Sequence, residues 1–72
     1  MAYTQADADL AARHVKEGLE RVEILTINIE LARQRGEPTH IAERGLATVL
    51  VTLEKMMQHE EDIRTALSSQ EI

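Results

Sequence analysis

One pattern constrains this chain more than any other. Apolar residues recur in alternating steps of three and four on both sides of a single break. Before the break, Ala8, Ala11, Val15, Gly18, Val22, Leu25, Ile29 and Ala32 follow that rhythm. After it, Ala42, Leu46, Val49, Leu53, Met56, Glu60, Ile63 and Leu67 do the same, with one polar member. Such spacing lines one side of an α-helix and closes two helices together at the shallow angle of coiled coils and bundles. No strand-like alternation is sustained anywhere, so the expected fold class is all-α.

The break is Arg35-Gly36-Glu37-Pro38-Thr39. Glycine supplies the left-handed conformation that ends many helices, with Arg33 and Arg35 well placed against the negative end of the dipole. Pro38 suits the first turn of a following helix, with Thr39 available for capping. At the other end of the first helix, Thr4-Gln5-Ala6-Asp7 fits a capping pattern, with Thr4 accepting from the amide three residues on. Ser68-Ser69-Gln70 reads as a fraying end. The expectation is a single domain over 1–72: a helix over about 5–35, a turn at about 36–38 and a helix over about 38–68. Folded at Gly36, the two form an antiparallel hairpin. Its layers then pair Ala32 with Ala42, Ile29 with Leu46, Leu25 with Val49, Val22 with Leu53, Gly18 with Met56, Val15 with Glu60, Ala11 with Ile63 and Ala8 with Leu67.

That hairpin leaves apolar side chains over. Ile24, Ile27 and Leu31 form a second stripe on the first helix, and Leu50 and Met57 flank the seam of the second, with Val51 farther round. Exposed apolar patches mark interfaces. Burying each such side chain is worth roughly 1.5–3 kcal/mol, counted twice in a dimer, against the cost of association. A chain of 72 residues is also thin for a stable monomer. The expectation is a homodimer forming a four-helix bundle through Ile24, Ile27, Leu31, Leu50 and Met57. The competing arrangement is a monomer whose second stripe docks on a larger protein partner.

Composition removes several classes of function. There is no cysteine, which excludes disulfides, thiolate zinc sites, thiol nucleophiles and iron–sulfur clusters. Tyr3 is the only aromatic residue apart from histidine, so base-stacking platforms and aromatic cages are excluded. The net charge of −5 lacks the cationic surplus that nucleic acid requires, which also counts against a dimeric hairpin gripping structured RNA. At 43% hydrophobic and 29% charged, the chain is too apolar for a disordered tail and too polar for a membrane span. The opening Met1–Asp7 has no basic region followed by an apolar run, so no secretory signal is expected. A cytoplasmic protein with neither nucleic-acid nor membrane partners follows as the default. Gly36 and Gly45 stand alone rather than in a phosphate loop, no nucleophile motif is present, and a hairpin lacks a deep pocket, so catalysis is not expected and no cofactor is implied.

The histidines carry the remaining chemistry. His14, His40 and His59 each precede a carboxylate by three residues, the spacing that sets two groups on one helix face. The hairpin register brings His14 near His59 and Glu60, and two imidazoles with a carboxylate suit a divalent transition metal. This metal-binding bundle of His14, His59 and Glu60 is the alternative function. Against it, di-iron bundles use Glu-x-x-His on inward positions, whereas the order here is reversed. Glu60 otherwise packs its stem on Val15, its head partnered by His14 or solvent. Imidazole titrates near neutrality, so His14 and His59 also suit a pH-sensitive latch.

The segment Ala12-Arg13-His14-Val15-Lys16-Glu17-Gly18-Leu19-Glu20-Arg21-Val22 resembles the opening of a group of small alphaproteobacterial proteins of unknown function. Gly36, Thr39, Leu46, Leu53 and His59 match the group's later positions, so the resemblance spans roughly residues 10–67. It implies a bacterial helical hairpin and assigns no functional residue. Pro38 stands where the group often has an acidic helix cap.

Overall fold

The computed structural model describes residues 3–70, and within them the chain is two helices, α1 (Gln5–Gln34) and α2 (His40–Gln70), packed against each other. No strand occurs among the described residues. Met1 and Ala2, part of the opening expected to carry no secretory signal, lie outside them, as do Glu71 and Ile72.

The ends of α1 are set by local chemistry. Thr4 is extended, its hydroxyl accepts from the Asp7 amide at 3.2 Å, and the Asp7 carboxylate accepts from the Thr4 amide at 2.8 Å. The Thr4 cap is the expected one; the Asp7 carboxylate adds the reciprocal bond that makes it a capping box, and together they satisfy two amides that the first turn leaves without helical partners. At the far end the Glu37 amide donates to Ala32 at 2.9 Å and the Gly36 amide to Arg33 at 3.1 Å. That pair of bonds is a Schellman closure. It needs a left-handed residue, and Gly36 supplies it at φ 73°.

The start of α2 departs from expectation. Pro38 lies outside the helix, because the Thr39 carbonyl accepts from the Glu43 amide at 2.8 Å and makes Thr39 the flanking residue. The tail departs too, since α2 runs on through the serines to Gln70. There the Ser69 hydroxyl donates to the Thr65 carbonyl at 3.1 Å, and no glycine or proline intervenes to stop the helix.

The seam is the one the periodicity specifies. All eight of its positions on α1 are buried or half-buried, and so are seven of the eight on α2, which leaves one position to explain. That position is Ala42, which is exposed while Thr39 is half-buried in its place. The first turn of α2 presents Thr39 and Glu43 towards α1, and Arg33 reaches across to Glu43 at 2.7 Å. Ala42 lies off that line. Gly18 sits in the expected layer. A methyl placed there would stand 2.9 Å from both Leu53 Cδ1 and Met56 Cε, so the missing side chain is what lets those two fill the seam.

The core is small. Among the described residues, Ala11, Ile29, Leu53 and Ile63 are the buried apolar ones, and of these Ile63 is fully buried. The molecule is a rod of 57 × 15 × 14 Å with a radius of gyration of 16.5 Å, where a compact chain of this length has about 11 Å.

Candidate functional site

Ile24, Ile27, Leu31, Leu50 and Met57 are all between 44% and 59% exposed, so the hairpin leaves uncovered the side chains that its seam does not need. They do not, however, form one patch. Residues seven apart lie along one line of a coiled helix, and the two flanks of the hairpin can be traced that way.

Tyr3, Leu10, Ile24 and Leu31 share such a line on α1. Tyr3 and Leu10 line an open depression of about 450 Å³ together with His14, His59 and the seam residues Ala11 and Ile63. Ile24 and Leu31 therefore belong to the flank that carries the two histidines. On α2 the corresponding line is Ile41, Thr48, Lys55 and Asp62, and Lys55 borders the adjoining depression with His14, Thr52 and His59.

Leu50 and Met57 are in line with Glu43 and Arg64. Glu43 takes Arg33 from α1, and Arg64 lines a separate depression with Gln5, Ala8, Ala12 and Leu67. These two side chains therefore lie on the opposite flank. Ile27 points away from the seam, on the back of α1. The stripe of three on α1 is real as a helical spacing, but it runs from the histidine flank onto that back.

Five large exposed residues among those described were not among the expected interface positions: Tyr3 at 36%, Leu10 at 48%, Leu19 at 51%, Val51 at 53% and Ile41 at 75%. Leu10 is legible as a continuation by sevens from Ile24 and Leu31. Leu19 continues Ala12 along the Arg33 side. Ile41 has no apolar neighbour at helical spacing on its own outer face, and the pairing of the helices puts it on the same flank as Leu31, near the turn.

The polar candidates also separate. His14 and His59 face each other across the same depressions, and the Tyr3 ring stands edge-on to His59 with centroids 6.0 Å apart and planes at 79°. The carboxylate on that rim, Asp7, is held by the Thr4 cap. Glu60 is elsewhere. One residue along a helix is a turn of about 100°, which carries it from His59 into the seam. Its side chain is 16% exposed there, and its partner is Arg64 at 3.7 Å rather than His14. Among the described residues, no group of three or more His, Asp or Glu side chains is placed to hold a metal ion.

The two flanks differ in charge. On the histidine flank, Asp7, Glu17 and Asp62 balance Arg21, Arg35 and Lys55. On the other, around Leu19, Leu50 and Met57, the acids Asp9, Glu23, Glu30, Glu43, Glu54 and Glu61 outnumber the bases Lys16, Arg33 and Arg64. No helix is long and apolar enough to cross a membrane among the described residues. Comparison with protein-family models, with curated proteins and with solved structures finds no match for the chain.

Proposed function

We propose that this protein is a small, non-catalytic, cytoplasmic interaction module that works as a homodimer, two hairpins packed into a four-helix bundle whose outer faces meet other proteins. The observation that supports the reading is an imbalance: among the described residues four apolar ones are buried, while ten large ones are a third or more exposed. Surface area points the same way. The chain exposes 5720 Å², whereas a compact monomer of its mass exposes about 4500 Å². The excess exceeds the roughly 800 Å² that each partner contributes to an ordinary stable interface.

Sedimentation equilibrium from micromolar to millimolar concentration tests this. The expected mass is twice the 8.1 kDa of the chain. A monomer throughout, with helical circular dichroism intact, removes the proposal. Metal binding through His14, His59 and Glu60 predicts something different. A metal held at a hundredfold over its dissociation constant would raise stability by about 2.7 kcal/mol. Zinc, iron and manganese are each expected to leave the melting temperature where it was.

A further inference from the structure

We propose that the occupant of the histidine flank is a second copy of this chain, docked with both turns at the same end, so that each α1 runs antiparallel to the partner's α2. This rests on the homodimer proposed above and adds the face and the orientation.

The flank is self-complementary. Its α1 side is a ridge, with Ile24 59% and Leu31 44% exposed. Its α2 side, at the same height, is a trough of Gly45, Thr48 and Thr52. Nothing lies within 4 Å of the place a Gly45 side chain would fill. The Thr48 hydroxyl donates to Arg44 and the Thr52 hydroxyl to Thr48, each at 3.1 Å to a carbonyl of its own helix. The trough therefore asks for no polar partner and accepts aliphatic side chains. Ile41, the most exposed large apolar residue at 75%, closes its turn end.

Charge selects the same occupant and its orientation. Acids and bases on this flank cancel, so two copies meet without net repulsion, whereas the other flank carries more acids than bases and would meet its copy with a net negative charge on each side. The flank is also divided along its length. The half near the turn is apolar apart from Asn28 and Arg35, and the rest carries Asp7, Glu17, Arg21, Lys55 and Asp62 beside Tyr3 and Leu10. A two-fold axis along the rod lays like on like. Ile24 and Leu31 enter the partner's trough, and Glu17 comes beside the partner's Lys55. With the turns at opposite ends, Ile24 would instead meet the partner's Glu17, and Gly45 the partner's Asp62.

Because the chain has no cysteine, Glu37→Cys in the exposed turn gives a single attachment point for a nitroxide. Pulsed dipolar spectroscopy on the dimer should return a separation of roughly 20 Å, about two helix diameters. A separation approaching the 57 Å length of the rod would overturn the orientation while leaving a dimer standing. No dipolar signal, with a monomeric mass, would overturn the dimer itself. For the choice of flank, Leu31→Glu should weaken dimerisation at least a hundredfold with helicity retained, and Leu50→Glu should leave it within threefold. The reverse order, or equal losses, would sink the assignment.

Discussion

The two flanks of this hairpin look alike by apolar exposure and unlike by everything else. Each shows large aliphatic side chains to solvent, Ile24, Leu31 and Ile41 on one and Leu19, Leu50 and Met57 on the other. Scattered exposed apolar groups are normal on any protein surface, so their presence alone does not mark an interface. What separates the flanks is their surroundings. On the histidine flank the ridge lies beside a trough with satisfied hydroxyls and balanced charge. On the other, glutamates border the leucines, and like charges resist self-association. An apolar stripe becomes a docking surface when its neighbours also suit the partner.

The largest effect expected from this contrast comes from filling the trough. Gly45→Leu should weaken the dimer by about 2–6 kcal/mol, because overpacking costs of about 1–3 kcal/mol arise at two symmetric sites. Ala47→Leu, on the glutamate flank, should leave association unchanged. Equal effects in analytical ultracentrifugation would erase the distinction between the flanks. Next comes Glu17→Lys, which sets two like-charged pairs across the proposed dimer and should cost about 1–2 kcal/mol. Adding Lys55→Glu should restore affinity, and failure of that rescue would argue against the pairing.

Gly18 lies between the flanks, in the seam that both share. Gly18→Ala gains about 1 kcal/mol of helix propensity, yet its methyl must displace Leu53 and Met56 from 2.9 Å. The expected net loss is about 1 kcal/mol, read as a lower melting temperature. A rise would mean that both side chains rotate away freely. The smallest effect belongs to Arg33 and Glu43. Their 2.7 Å pair is about half exposed on both sides, so a double-mutant cycle by urea denaturation should give about 0.2–1 kcal/mol. That coupling should shrink further at high salt.

Most of the fold was legible in the residues because its causes are local. A capping box is four residues long, a Schellman closure needs one glycine, and a seam follows from a period of three and four. Where expectation failed, the cause was a competing local bond. The Thr39 carbonyl takes the Glu43 amide and leaves Pro38 outside, and the Arg33–Glu43 pair helps set which first-turn residues face α1, so Ala42 stays exposed. The candidate surface was less legible. That Ile24, Leu31, Leu50 and Met57 would be uncovered followed from the spacing, but their division between two flanks did not. Spacing within one helix says which residues share a line. It does not say which lines of two helices come together, and Ile41 is informative only on the same flank as Leu31 of the other helix. Glu60 divides the same way: its pair with Arg64 follows from i,i+4 spacing on one helix, whereas its separation from His14 depends on how the two helices meet.

By itself, then, the order of residues determined that there are two helices, where they turn and which edge of each is hidden, since these are set by backbone chemistry over a few residues. Only the tertiary structure decided how the leftover apolar groups are distributed. The reason is geometric: once the seam closes, the direction in which an exposed side chain points depends on the helix packed beside its own.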